Sequence, residues 1–245
     1  MVEKVDKFFE ASPSKCTAVR GRCGRLLNKV QTPAVTVVTQ RGLPAYLSRD
    51  LLDSLPGTGV VQLPLGDMTA AKEVIVAANA WASQNQKEND NADNNSEEEV
   101  QKKIAPKKDI GVTEHFNLGE DRVSFLSFRN PRLVESVFGG ESGLSLDAIN
   151  GRTKMDVSKL IETQNVLKCD ILVAPSEEAP IGQSGVQKTM RAVKKSGEFL
   201  TKLLAERDNA AFSAFVLANV QGGADQDQRV RALQDGVCHV PGGIA

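Results

Sequence analysis

The sequence predicts an α/β fold, a parallel sheet covered by amphipathic helices. Two observations lead there. Short apolar runs rich in β-branched residues, such as Ala34–Thr39 (AVTVVT) and Asp170–Ala174 (DILVA), lack the strict alternation of a strand with one wet face. Strands buried on both faces read this way, and parallel sheets bury both faces. Between these runs lie segments with apolar residues at helical spacing, and that alternation of strand and helix is the pattern of a sheet with helices packed on it. Periodicity alone leaves a doubly wound sheet and a closed (β/α)8 barrel both open.

Taken in order, Pro33 precedes the first buried strand, Ala34–Thr39. Ser48 is placed to cap a short helix over Arg49–Leu55. Gly59–Leu63 (GVVQL) reads as a second strand. Thr69 opens a helix to about Ala82, with Val74, Ala77, Ala78 and Trp81 at helical spacing. From Ser83 to Lys108 the chain is dominated by Asn, Gln, Glu, Asp and Lys. Such a segment buries too little apolar area to offset its ordering entropy, so 83–108 is expected to be a disordered insert within one domain spanning 1–245. Arg122–Ser127 (RVSFLS) reads as a third strand, and the βα rhythm is strongest from residue 120 onward. Asp156 is a candidate N-cap for a helix carrying Val157, Leu160, Ile161 and Leu167. Asp170–Ala174 is the next strand. A long helix follows over about Val186–Glu206, with Val186, Met190, Val193, Leu200 and Leu204 expected to face inward. Phe212–Asn219 (FSAFVLAN) is another apolar strand, expected to lie parallel and adjacent to Asp170–Ala174. Asp225–Asp235 reads as a helix, and His239–Ile244 as a strand entrance.

Composition narrows the function classes. The chain has 245 residues, 40% hydrophobic but only 4% aromatic, so its core is aliphatic. A formal net charge of -1 gives no basic excess of the kind general nucleic-acid binders carry. Any RNA contact must come from a local patch, for which Lys188, Arg191, Lys194 and Lys195 or Arg20, Arg22 and Arg25 are candidates. No run approaches the roughly 20 apolar residues that span a bilayer, and the charged opening does not read as a secretory signal. Cys16, Cys23, Cys169 and Cys238 include no C-x-x-C pair. They imply neither a zinc knuckle nor a disulfide framework, and a reducing, cytoplasmic setting is expected. With His115 and His239 as the two histidines, no metal site in this chain is expected, nor a Ser-His-Asp triad.

Strand ends carry the candidate chemistry. Gln221-Gly222-Gly223 directly follows the Phe212–Asn219 run. Glycines there let backbone approach a ligand, and a glutamine side chain matches a nucleobase edge with one acceptor and two donors. A simple strand-to-helix turn explains the same residues. Ser176-Glu177-Glu178 follows Asp170–Ala174 in the same way. Its two carboxylates could serve as acid and base, although adjacent side chains point apart and a proline-flanked acidic loop is usually just solvated. Gly139-Gly140 and Gly242-Gly243 match neither a dinucleotide fingerprint nor a P-loop.

The order of these motifs is similar to that of tRNA-guanine transglycosylases, the queuine tRNA-ribosyltransferase family. Thr32-Pro33, AVTVVT and Gln40, then Leu47-Ser48-Arg49-Asp50-Leu51, resemble the family's opening. Gly151-Arg152-Thr153-Lys154-Met155-Asp156-Val157-Ser158-Lys159 and Gln164 resemble the segment before its central aspartate motif. Cys169-Asp170-Ile171-Leu172-Val173-Ala174 resembles the strand leading to that motif, Met190-Arg191 the helix after it, and Val220-Gln221-Gly222-Gly223 the family's Val-Gln-Gly-Gly. The resemblance covers nearly the whole chain apart from the insert. It implies a (β/α)8 TIM-type barrel, here incomplete, with about the first five strands.

The departures point to one branch. Where catalytic members carry Asp-Ser-Gly-Gly, this chain reads Ser127-Phe128-Arg129-Asn130-Pro131. Where they carry Asp-Glu-Cys, it reads Ser176-Glu177-Glu178. The resemblance implies the family's non-catalytic accessory subunit, of which this would be the N-terminal part. No catalytic residue is expected in this chain, and Gln221, Gly222, Gly223, Ser176 and Glu177 would form a vestigial base pocket. The family's nucleophilic aspartate and its three cysteine and one histidine zinc ligands would lie beyond Ala245, so no cofactor is expected in this chain. The implied partner is the catalytic subunit, in a heterodimer that exchanges guanine for queuine at the wobble position of GUN-anticodon tRNAs. Contact with tRNA would come through that complex, in the cytoplasm, with peripheral association with the mitochondrial outer membrane allowed. An active transglycosylase, an unrelated barrel enzyme and an inactive truncated fragment are the alternatives.

Overall fold

The computed structural model describes residues 8–12, 23–89, 109–133, 137–140, 143–178, 185–209 and 213–235. Its centre is a six-stranded sheet. Five strands are parallel: β4 (Thr36–Gln40), β6 (Val60–Pro64), β7 (Val123–Ser127), β11 (Ile171–Val173) and β12 (Phe215–Leu217). Each pairs with the next in chain order, for example Val37 with Val61, Val61 with Ser124, Leu172 with Leu126 and Leu172 with Val216. The expected parallel pairing of the Asp170–Ala174 and Phe212–Asn219 segments is present, in register from Ile171↔Phe215 to Val173↔Leu217. The short β5 (Leu43–Pro44) pairs antiparallel with the end of β4. The sheet is open among the described residues, so an α/β fold is established while a closed barrel is not.

The five helices expected from the sequence are present, one of them markedly longer, and a one-turn helix is added to them. The short α1 (Arg49–Ser54) is capped by Ser48, whose hydroxyl accepts from the Leu51 N–H. The helix expected over 69–82 is longer: α2 runs Leu65–Asn89. It therefore takes in the first residues of the polar segment read as disordered. Asn and Gln have moderate helix propensity, so a helix already nucleated on a buried face extends through them. The rest of that insert, residues 90–108, lies outside the described residues. The one-turn α3 (Val112–His115) follows, then α4 (Val157–Leu167), capped as expected by the Asp156 carboxylate at 2.9 Å from the Lys159 N–H. The last two are α5 (Val186–Asn209) and α6 (Gln226–Asp235). The expected strand at His239–Ile244 lies outside the described residues, as does Gly242-Gly243.

Two small antiparallel sheets do not follow from the apolar runs. One joins β1 (Phe9–Ala11), β2 (Gly24–Leu26) and β3 (Val30–Thr32). The other joins β8 (Val137–Gly140), β9 (Gly143–Ala148) and β10 (Gly151–Met155). Gly139-Gly140 thus belongs to a strand, paired with Leu144 and Gly143, and not to a ligand loop. The β9–β10 hairpin carries a signal that reading for buried strands passes over. Its Gly151↔Ala148 pairing leaves a two-residue connection, Ile149-Asn150, and Gly151 has φ +103°. Neither Ile149 nor Asn150 has a positive φ, so the glycine takes the left-handed position that follows the turn, as in a hairpin closed by a bulge.

Burial is divided between the two faces of the parallel sheet. Val61, Leu63, Leu126, Leu172 and Val216 face the helices in the main core, with Met68 and Ile75 of α2, Leu160 of α4 and Leu200 and Leu203 of α5. On the other face Val60, Val123 and Ile171 pack with Val30, Leu26, Leu27 and Phe8 of the N-terminal sheet. The Asp170 carboxylate ties that sheet to the strands. It accepts from Lys29 Nζ at 2.8 Å and from the Ser124 hydroxyl at 2.7 Å.

Seven of the residues placed at helical spacing are exposed or only half-buried, Ala77, Ala78 and Leu204 among them. On α2, Val74 and Trp81 are 54% and 57% exposed, and Ala71, Ile75 and Ala82 face inward instead. On α5, Val186 and Met190 are exposed, and Thr189, Ala192, Val193, Ser196, Leu200 and Leu203 face inward. On α2 the spaced apolar residues lie on a second face that the core leaves uncovered, and on α5 Val186 and Met190 lie at the edge of the covered one.

Candidate functional site

Parallel strands place ligand-binding groups beyond their C-terminal ends, where loops and helix starts converge. Here the ends of β6, β7, β11 and β12 bring together polar residues from four distant stretches of sequence. Gln62, the one polar residue inside its strand, donates from Nε2 to the Ser127 hydroxyl at 2.7 Å, and that hydroxyl donates to the Arg129 carbonyl at 2.8 Å. Arg129 Nη1 then reaches Glu178 Oε2 at 2.6 Å, an ion pair that joins the ends of β7 and β11.

The loop after β11 sends successive side chains to different neighbours. Ser176 is buried, and its hydroxyl accepts from Asn219 Nδ2 at 3.1 Å. The same amide donates to the Ala174 carbonyl at 3.2 Å, so one side chain at the end of β12 holds the β11 loop in place. Glu177 is also buried but faces α5. Its backbone N–H donates to the Ser196 hydroxyl, and its carboxylate stands 3.5 Å from Arg191 Nε and 3.6 Å from Lys195 Nζ. Glu177 Oε2 makes no hydrogen bond and is held by charge attraction alone. Ser176 and Glu177, adjacent in sequence, therefore occupy separate surroundings.

Gln221-Gly222-Gly223 forms the turn from β12 into α6. Gly222 is buried at φ +135°, and a Cβ there would lie 2.6 Å from the Arg229 backbone nitrogen. Only glycine lets the helix backbone come this close in that conformation. The Gly222 carbonyl accepts from the Asp225 N–H, and the Asp225 carboxylate accepts from the Gln228 N–H, which completes the helix start. Gln221 is half-buried and lines a recess of about 10 Å³ with Ala174, Pro175 and Asn219, room for little more than a water molecule. The structure thus gathers Ser176, Asn219 and Gln221 at the β11–β12 rim and turns Glu177 away from them.

Sequence reasoning overlooked Asn219, Gln62 and the Arg129–Glu178 pair. A polar residue interrupting or ending an apolar strand was the available signal for the first two. For the ion pair there is none, because its members are 49 residues apart.

The remaining candidates are placed elsewhere. Within the basic strip, Lys188, Arg191 and Lys194 are exposed, while Arg191 and Lys195 both face Glu177. Arg25 is exposed on β2, and Arg20 and Arg22 lie outside the described residues. Cys23 is exposed just before β2 and Cys169 is buried at the foot of β11; Cys16, Cys238 and His239 lie outside the described residues. His115 stacks edge-on against Phe116. Among the described residues no group of three or more His, Cys, Asp or Glu side chains is placed to hold a metal ion. No described helix is long and apolar enough to cross a membrane.

Comparison with known proteins agrees with the order of the strand-end motifs. No individual curated protein matches the chain. The family model for queuine tRNA-ribosyltransferase matches residues 119–243, just over half of the sequence, and this span includes β7, β11, β12 and the rim residues Arg129, Ser176, Asn219 and Gln221. The chemistry of that family is tRNA-guanine transglycosylation, the route to queuosine. The chain belongs to the queuine tRNA-ribosyltransferase family.

Proposed function

We propose that the chain is the non-catalytic accessory subunit of a queuine tRNA-ribosyltransferase. It would pair with the catalytic subunit and support the exchange of guanine for queuine at the wobble position of GUN-anticodon tRNAs. The observation that carries this reading is at the end of β11. The resemblance puts a purine-reading aspartate where Ser176 stands, and the Ser176 hydroxyl is engaged by Asn219. A neutral hydroxyl supplies no carboxylate to a purine edge, and base exchange needs positioned acid–base groups. Glu177 is no substitute, because its carboxylate faces α5 between Arg191 and Lys195. The Arg129–Glu178 pair joins the two loops that would flank a bound base. The winding of the sheet supports the barrel part of the reading. Each parallel strand is added beside the previous one without a reversal, as in a (β/α)8 barrel, whereas doubly wound sheets reverse at a switch point.

The test is incorporation of labelled guanine into a GUN-anticodon tRNA. The purified chain alone is expected to give background levels, and to co-purify with the catalytic subunit and raise its exchange rate. Turnover by the chain alone that disappears in a Glu177→Gln variant overturns the reading in favour of an active enzyme. Failure to associate with the catalytic subunit overturns it in favour of an inactive fragment.

A further inference from the structure

Helices α5 and α6 pack together on the outer face of the sheet and leave a groove of about 740 Å³ between them. Its floor is apolar, formed by Met190, Val193 and Ala232. Met190 is 43% exposed although it lies on a helix that buries most of its other apolar residues. Gly197 sits at the middle of this floor, inside α5. Glycine in a helix interior is destabilising relative to alanine. Among the described residues nothing requires it here, because a Cβ at Gly197 would meet none of their atoms within 4 Å. Its effect is to leave the floor open to the close approach of another backbone.

The groove also carries charge. Arg191, Lys194, Lys202 and Arg231 line it; Arg191 faces Glu177 at 3.5 Å and Lys194 faces Glu198, the single carboxylate of the lining, at 4.0 Å, so the positive sign of the rim comes from Lys202 and Arg231. The whole chain has a net charge of -1, so this positive lining is a local concentration. An apolar floor opened by a glycine and edged by cations matches an amphipathic helix with an apolar stripe and acidic flanks. A phosphate backbone would use the cations but would gain nothing from the floor or from the missing side chain.

We propose that the α5–α6 groove is a docking site for an acidic amphipathic helix of a protein partner. This assignment is independent of the accessory-subunit reading. The probe is a fluorescein-labelled synthetic helix with leucines at i, i+3, i+4 and i+7 and glutamates on its flanks, titrated into the full chain. A scrambled peptide and a single-stranded RNA of equal charge serve as comparators. The helix is expected to bind, and the scrambled peptide to bind at least about ten-fold more weakly. Gly197→Leu fills the floor with a residue of higher helix propensity. It is expected to leave the thermal midpoint unchanged or raised, and to weaken peptide binding about ten-fold or more. Lys202→Glu with Arg231→Glu is expected to weaken binding similarly and to remove its salt dependence. The proposal is overturned if the helix does not bind, or if Gly197→Leu leaves its affinity unchanged. It is overturned in favour of nucleic acid if RNA binds more tightly than the helix and the charge reversals abolish that binding. Protection of a Gly197→Cys thiol from maleimide in the unliganded chain overturns it in favour of a segment of the chain itself filling the groove.

Discussion

Arg122 is buried, and each of its three guanidinium nitrogens donates a hydrogen bond. It donates to the Leu118 carbonyl at 2.6 Å, to the Thr58 carbonyl at 3.3 Å and to Asp53 Oδ1 at 2.6 Å. Asp53 also accepts from Arg49 Nε at 2.9 Å. The Arg122 hydrogen bond, with that of Arg49, holds the Asp53 carboxyl below its usual value of 3.8. A carboxyl depressed in the folded state adds stability that is complete above that usual value and is lost as pH falls through the lower folded one. The wild type is therefore expected to be more stable than Asp53→Asn at neutral pH, with the gap closing as pH falls below the usual carboxyl value of 3.8. Urea unfolding from neutral pH down through that value checks it, and a gap independent of pH would contradict it. Cys169 gives a second expectation at this scale. Burial first, then the Asp170 charge, pushes its thiol well above the ordinary range, and thiolate is the reactive form. Under native conditions iodoacetamide followed by peptide mapping should find Cys23 alkylated and Cys169 untouched.

Among the elements, the β12–α6 connection is the most constrained. Gly222 combines a positive φ with the approach of the Arg229 backbone. Gly222→Ala is expected to lower stability by about 2 kcal/mol or more, because the new methyl forces the helix start away from β12. Denaturant titration measures this, and a loss under about 0.5 kcal/mol would mean the turn relaxes freely. The motif that resembles a base-binding signature is thus also a structural joint. Its conformation follows from packing α6 against the end of the sheet, whatever the site binds. The α4 start shows the opposite case. The Asp156 cap was legible because an N-cap acts within three residues, on the Lys159 N–H.

Across the whole molecule, protection should follow position in the sheet. The middle strand of the parallel set, β7, has strands on both sides and apolar layers on both faces, with Leu126 toward the helices and Val123 toward the N-terminal sheet. Strand β12 pairs on one side only among the described residues. Amide hydrogen exchange is expected to be slowest in Val123–Ser127 and at least about ten-fold faster in Phe215–Leu217, since opening free energies fall from core to edge. Equal protection of the two strands would mean that β12 is covered on its far side. That result would support a closed barrel over the open sheet.

The parallel strands and five of the helices between them were legible in the sequence, because apolar runs and helical periods are set by local dihedral preference and burial; of the strand order only the β11–β12 pairing was. The Gln221-Gly222-Gly223 turn and the helix caps were legible for the same reason. Only the tertiary structure decided which face of α2 and α5 is covered, leaving Trp81 and Met190 outside, since spacing marks an apolar face but not what lies against it. It alone joined Ser176 to Asn219, 43 residues away, and Arg129 to Glu178, 49 residues away. Those pairs depend on strand order bringing remote ends to one rim. The rim's chemistry is therefore a property of the assembled sheet, while its ingredients are properties of the chain.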